Sequence, residues 1–516
     1  MKFKENIMKT KYLAIMASIM LFVSCSDYLE ENPETALTDE QIFGSLDKME
    51  PLVLGTFTSW RNIQKDRGGL ITQLGTDETQ QGAYQVTTVP EQAGLDYYNG
   101  YLSKENSVIN AQWNSRFQII GPASQAIYFL GINTEDDVER RNVLLGEASF
   151  IRATLMFELS MYWGEIPIID YGRVAELGSG RMPLKEVYTY IINDLTVAEA
   201  NLPIAQENPA FPTKGAAQAM LGKVYLYAPE ASTLRDYNLA KEWFGKVINS
   251  GTYSLLPSYS GVFSPNNANS QESIYEFQFN NTWPDNNQLQ WQTGSRAVAN
   301  VDQYAYFGGY DLLMPTQYCY NDVADGGIWQ PGDLRKNASI RYDFTYKGSV
   351  PPIPAGVGGD ELDPHIRKYE DIRTQGTMSF WYSGKNKPFL RYSDILLCYA
   401  ECLNELGDIT EAENYVNQVR TRGFGGSLPS GMAWNGLSQT DFRINILDER
   451  MRELSFEGWR RMDLIRTGKL VELVKSRNKW ATQSGTISNV HNRYPIPLTE
   501  ILINPDIEDT DQNEGY

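Results

Sequence analysis

The sequence predicts a mainly α-helical protein, with tetratricopeptide-like helix pairs as scaffold and a loop-rich, irregular ligand-binding face. Three observations carry this. Apolar residues recur at helical spacing in paired stretches near residue 220 and again near residue 400. A Gly-Asp turn joins the members of the later pair, as in a tetratricopeptide unit, whose helices cannot bury their own faces and therefore stack. Between the paired stretches, from about Gly251 to Lys387, the chain turns rich in Asn, Gly, Pro and aromatics. Long ordered loops on a rigid frame are where binding usually sits.

Taken in order, the chain opens with Lys9 and Lys11 ahead of an apolar run, Tyr12 to Val23. That is the basic and apolar part of a secretory signal, shorter than the roughly 20 residues that span a bilayer. "FVSC" resembles a bacterial lipobox, so Cys25 is expected to be acylated and to become the new N-terminus; an ordinary cleaved signal with a buried cysteine is the alternative. Residues 1–24 then form the signal, and 25–37, charged and holding Pro33, a solvated tether. Thr38 and Gln41 form a capping box opening an N-terminal helical region over 38–250. Glu147 to Trp163 reads as a long helix ended by Gly164 and Pro167. "TKGAAQAMLGKVYLYA" and "DYNLAKEWFGKVINSG" form the next pair, with Ala217, Met220, Leu221, Val224 and Tyr225 on one stripe and Leu239, Trp243 and Val247 on the other.

The region 251–516 divides into the loop-rich face (251–387), a helical part (388–470) and a docked tail (471–516). "SIYEFQF" alternates as a strand does, whereas "SVPPIPAGVGGDELDP" sustains no regular element. Ile395, Tyr399, Cys402 and Leu406 share a helix face, Gly407 ends that helix, and Thr410 with Glu413 is expected to cap the next. In "ILDERMRELSFEGWRRMDLIRTGKL", Leu447, Met451, Leu454, Gly458, Met462 and Ile465 make one stripe, with Gly458 expected to permit close helix approach. The remaining positions alternate Glu, Arg and Asp, suiting ion pairs between helices. "YPIPLTEILINPDIEDTDQNEGY" is expected to be a proline-ordered, non-helical tail docked on the body.

The 516 residues carry a formal net charge of −19, which argues against nucleic acid as a partner and against anionic ligands, unless a local basic patch is hidden. Besides Cys25 there are Cys319, Cys398 and Cys402; the last two, four apart on a helix, read as small core residues and not as a disulfide. No catalytic motif is present. His365 and His491 read as plain polar loop residues. Asp325 and Asp333 lack the spacing of a calcium loop, so neither metal nor cofactor is expected. Carboxylate pairs such as Asp77 with Glu78 exist, but a glycosidase needs two held about 5–10 Å apart across the scissile bond, and sequence does not supply that.

What stands out is aromatics beside amides. "NNTWPDNNQLQW" sets Trp283 and Trp291 among Asn280, Asn281, Asp285, Asn286 and Gln288; Tyr304, Tyr306, Tyr310 and Trp329 follow. "TDETQQGAYQ" and "GLDYYNGY" repeat the mixture with Asp77, Tyr84, Tyr97 and Tyr98. A sugar ring has an apolar C–H face, which suits flat aromatics, and a hydroxyl edge, which suits amides and carboxylates. The candidate ligand residues are therefore Trp283, Trp291, Tyr306, Trp329, Tyr84, Tyr98, Asp77 and Asn281. Core packing is the competing account of each.

The stretches "FLRYSDILLCYAECLNELGD", "ELSFEGWRRMDLIR", "YPIP" and "QNEGY", with the lipobox, resemble the SusD/RagB family of outer-membrane nutrient-binding lipoproteins over essentially the whole mature chain. "VINAQWNSRFQIIGPASQAIYFL" is similar to that family's N-terminal helix, with Trp113 as a packing residue. The resemblance implies a cell-surface protein that is not an enzyme. It would be lipid-anchored in the outer membrane, capture oligosaccharide, and sit lid-like on a TonB-dependent, SusC-like transporter. A peptide ligand is the nearest alternative; a surface glycoside hydrolase and a helical assembly factor are the others. The resembling stretches belong to the scaffold, so the ligand loops are carried over by region only.

Overall fold

The structure, a computed structural model, describes residues 43–134, 137–171, 179–295, 309–342, 363–374 and 381–516. The cap expected at Thr38 and the signal and tether around Cys25 lie outside these residues. Ten principal helices build the frame: α1 (Leu46–Gln64), α2 (Ser107–Ile132), α3 (Val138–Trp163), α4 (Leu184–Asn201), α5 (Lys214–Tyr227), α6 (Tyr237–Asn249), α7 (Tyr392–Glu405), α8 (Ile409–Gly423), α9 (Gln439–Leu454) and α10 (Arg460–Arg466).

Most begin on a side chain that takes up orphan backbone N–H groups. Asn106 accepts from Val108 and Ile109 at 3.0 Å, Asp236 from Asn238 and Leu239, and Ser438 from Asp441. α8 is capped by Asp408 and not by Thr410. Glu413 instead turns inward, accepting from the backbone of Gly436 and Leu437.

α3 is the centre of the frame: every residue from Gly146 to Trp163 is buried, as expected of a helix enclosed on all sides. Its buried charges are paired: Asp194 of α4 takes Arg152 through two bonds of 2.7 Å, and Glu158 accepts from Arg116 of α2 at 2.9 Å. α2 and α4 flank it, α5 pairs with α6, and α7 pairs with α8. α6 then packs on α7 across the long intervening segment, so early and late pairs form one stack, with the main apolar core running from Leu46 to Ile496 and a second between α7, α8 and α9. The α5–α6 crossing is close, because a Cβ on Gly222 would lie 2.5 Å from the Phe244 ring. On α6 Val247 is buried as expected, but its companions in the core are Ala240 and Phe244, whereas Leu239 is exposed and Trp243 half-buried.

The stripe from Leu447 to Ile465 is two helices, not one. The chain breaks over Ser455–Trp459, with Phe456 at φ 67° and Gly458 at φ 95°. A Cβ on Gly458 would have room, so the glycine serves the left-handed turn and not a helix contact. The charged residues of this stretch form a buried lattice. Arg391 sits between Glu272, Glu453 and Glu457 at 2.7–2.9 Å; Arg335 joins Asp333, Glu449 and Glu453; Arg450 joins Asp394 and Asp463 at 2.8 Å. Cys319, Cys398 and Cys402 are buried free thiols; Cys398 also meets this lattice, 3.2 Å from Arg450.

The tail docks as expected. Trp163 donates to Pro495 O at 2.9 Å and Tyr494 N to Tyr162 O at 2.8 Å. Contrary to expectation the region 471–516 is partly helical, with Leu470–Arg477, Lys479–Ser484 and Leu498–Ile503, the last opening after Pro497, whose fixed φ suits a helix start. Three antiparallel ribbons complete the fold: β1 (Thr79–Gln80) with β3 (Met314–Pro315), β2 (Ser273–Phe277) with β6 (Lys387–Arg391), and β4 (Ile340–Arg341) with β5 (His365–Ile366). The β2–β6 ribbon holds together the two ends of the loop-rich segment. Among the described residues no helix is long and apolar enough to cross a membrane.

Candidate functional site

The loops that spring from the β2–β6 ribbon bring five aromatic side chains to the surface. Asn280 N bonds Asp285 O at 2.9 Å and Asp285 N bonds Thr282 O at 2.8 Å, closing a turn that carries Trp283, 68% exposed, at its tip. Arg61 of α1 ties the turn down through Asp285 at 2.7 Å. Asn287 and Ser383 exchange two backbone bonds of 2.8 Å, which sets Trp381 and Tyr382 beside it. Trp291, on the short helix Leu289–Gln292, stacks on Trp381 with centroids 5.5 Å apart and planes at 24°. Its other neighbour is Tyr310, at 5.1 Å, and Trp283 meets Tyr382 edge-on at 6.0 Å.

Buried polar contacts hold this shelf in place. Gln290 accepts from Asp371 N at 2.9 Å and donates to Thr374 at 3.1 Å. Asp371 binds Arg373 through both oxygens and accepts from Ser383 at 2.8 Å; burial works against its charge, but the Arg373 bonds hold its carboxyl below the usual range. Asp311, at φ 52°, is buried with its carboxylate 2.7 Å from His365 Nε2. Burial disfavours the imidazolium, yet Asp311 raises the His365 pKa overall. His365 is thus a strand residue in a buried pair, and His491 closes a capping box with Ser488; neither is a plain loop residue.

Of the residues expected to meet ligand, Trp283 and Trp291 are on the shelf. Tyr84, 41% exposed, lies next to it, since its neighbour Gln85 donates to Tyr310 O. Asn281 is in the Trp283 loop, with Oδ1 accepting from Gly384 N at 2.8 Å. Three others are structural. Trp329 is 1% exposed and donates to Cys319 O at 2.6 Å. Tyr98 is buried, bonded to Gly75 O and Arg461. Asp77 is fully buried in two 2.7 Å bonds from Arg460 and one of 2.9 Å from Arg477. Tyr306 lies outside the described residues. Trp381 and Tyr382 were missed; the signal for them was their adjacency in a glycine-flanked loop. No group of His, Cys, Asp or Glu suited to a metal occurs among the described residues.

A large cleft lies elsewhere among the described residues, about 830 Å³ between helices and lined by Tyr237, Glu405, Arg443, Ile444, Arg466 and Glu472 among others. Its charges are largely spent on each other: Arg443 binds Glu405 through two bonds of 2.6–2.7 Å, and Arg466 binds Glu401.

Residues 271–516 match the family described as "SusD family", and residues 27–226 match one described as "Starch-binding associating with outer membrane". The chain belongs to the SusD family. It is 29% identical to "SusD-like protein P2" of Formosa agariphila over 99% of this chain and 100% of that one. With "Starch-binding protein SusD" of Bacteroides thetaiotaomicron it shares 24% identity over 99% and 100% of the two chains. A solved "Laminarin binding SusD-like protein" superposes with a TM-score of 0.73 at 22% identity, covering 91% of this chain and 99% of that one. The tetratricopeptide-like helical frame is therefore the SusD fold.

Proposed function

We propose that this SusD-family protein is a cell-surface glycan-binding lipoprotein, anchored in the outer membrane through Cys25, that captures oligosaccharide without cleaving it and passes it to a TonB-dependent transporter. The observation that carries the reading is the aromatic shelf. Trp283 and Trp381 are large apolar faces left at the surface, with the half-buried Trp291 stacked against Trp381, although buried contacts fix the loops that bear them. A shelf held in advance takes a sugar ring at little ordering cost. The names of two similar proteins, starch-binding and laminarin-binding, support the ligand class. The carboxylates at the shelf support binding over hydrolysis, since Asp285 is engaged by Arg61 and Asp371 by Arg373. The test is incubation of the purified protein with a panel of soluble polysaccharides, followed by affinity electrophoresis and product sizing. Retardation in at least one glycan gel with no shortened product is expected; release of shorter chains would replace the binding reading with a hydrolase.

A further inference from the structure

We infer that the saccharide this shelf takes is acidic, with Lys65 and Arg67 receiving its carboxylate or sulfate groups; this rests on the glycan reading above. Carboxylates outnumber cations in this chain, 64 to 45, and its buried cations are typically claimed by them, as at Arg335, Arg391 and Arg450. Lys65 and Arg67 are half-buried at the edge of the shelf and are not so claimed. Among the described residues neither has a carboxylate partner. Each instead faces a shelf aromatic: the Lys65 ammonium is 5.8 Å from the Trp283 ring, and the Arg67 guanidinium is 5.1 Å from the Tyr310 ring.

Their placement is built. Lys65 O accepts from Gln288 N at 2.7 Å, fixing the segment against the start of the Trp291 helix. Asp66, between them, spends its carboxylate on Gly68 N at 3.0 Å. A Cβ at Gly69 would come 2.7 Å from the Gln64 backbone, so the chain turns sharply there and brings both cations to one edge of the shelf. A guanidinium lying over a ring keeps its in-plane N–H donors for a bidentate oxyanion. An ammonium at the outer range of a cation–π contact likewise keeps donors free. A neutral hydroxyl gains less from such charged donors than an oxyanion does. An acidic polymer approaching a protein of net charge −19 needs a local cationic edge to be admitted.

The experiment is calorimetric titration of the full chain, at low and high salt. Oligogalacturonides are compared with their methyl-esterified neutral counterparts, and sulfated galactan oligosaccharides with their desulfated counterparts; the two arms separate carboxylate from sulfate. We expect at least one acidic ligand to bind about tenfold or more tightly than its neutral counterpart, to weaken with salt, and to lose about tenfold in Lys65→Gln/Arg67→Gln with an unchanged melting temperature. Equal affinity for the neutral counterpart, or full retention of affinity in the double variant, would overturn the inference. So would binding of neutral glycans alone, which would leave the glycan reading standing. Binding of none of these ligands would also overturn the inference, and the polysaccharide panel above then decides the glycan reading by itself.

Discussion

Trp291 and Trp329 occur in one loop-rich segment with similar polar flanks, yet the protein uses them oppositely. Trp291 lies on a shelf tied down by Gln290, whereas Trp329 is enclosed, its indole N–H spent on Cys319 O. Local sequence does not distinguish them, because burial is decided by which distant elements close over each ring. Tyr98 and Asp77 were misread for the same reason: their partners, Arg461 and Arg460, are more than 350 residues away. Trp329→Ala is expected to cost about 3–5 kcal/mol of stability, seen as a large fall in denaturation midpoint. Glycan affinity of the folded fraction should be unchanged; a selective affinity loss at normal stability would return Trp329 to the binding site. Glu147 supplies a pH test. Burial pushes its carboxyl up to about 8 from 4.5, so the folded state holds a proton that the unfolded chain gives up. Its contribution is present below the unfolded value and declines as pH rises toward the folded one. Glu147→Gln should therefore raise the melting temperature at pH 7 relative to wild type by more than at pH 5, a difference that thermal melts at the two values measure.

At the level of elements, the helix stops at Gly164 and Gly407 and the α5–α6 and α7–α8 pairs were legible, because they rest on short-range periodicity and turn chemistry, whereas the cap expected at Thr410 is at Asp408 and the helix expected from Glu147 begins at Val138. The break between α9 and α10 was not, since an apolar stripe at helical spacing continues through it and only the left-handed backbone at Phe456 and Gly458 reveals it. The alternating charges of this region were correctly read as ion pairs, but their depth was not visible. That depth makes them sensitive. Glu453→Gln keeps the shape while leaving Arg391, Arg422 and Arg335 short of a charge; removing one partner from a buried network costs about 3–5 kcal/mol. Arg140→Met, which breaks a surface contact with Asp47 and Glu50, should leave the midpoint nearly unmoved. Acid should act on the same lattice. Burial disfavours the charges of Glu449 and Asp463, but Arg335 beside the first and Arg450 beside the second hold both carboxyls well below the ordinary range. Their stabilisation is complete above the unfolded value of about 4 and is lost as pH falls below it. Urea midpoints should therefore drop steeply below about pH 4, and a flat acid limb would show that the lattice is not held in charged form.

For the molecule as a whole, the frame was readable because its signature stretches are scaffold, and the ligand face was readable only by region because its loops take their shape from long-range ties such as Asn287–Ser383. On the proposed function, tethering through Cys25 would place the protein in one membrane with a transporter and raise their effective concentration, so a modest contact would suffice. Gentle detergent extraction with mild cross-linking should recover it with a large outer-membrane barrel, with or without glycan, and Cys25→Ala should abolish fatty-acid labelling. Free lipoprotein alone, or undiminished labelling, would contradict these two points respectively. The central claim is that ligand is taken on the aromatic shelf and not in the wider cleft between helices. It is tested most directly by titrating one cognate glycan into wild type, Trp283→Ala/Trp291→Ala and Ile444→Ala/Arg443→Ala. The account predicts a loss of about 2 kcal/mol or more, some 30-fold in Kd, for the shelf variant, and wild-type affinity for the cleft variant. Wild-type affinity in the shelf variant with a loss in the cleft variant would contradict it.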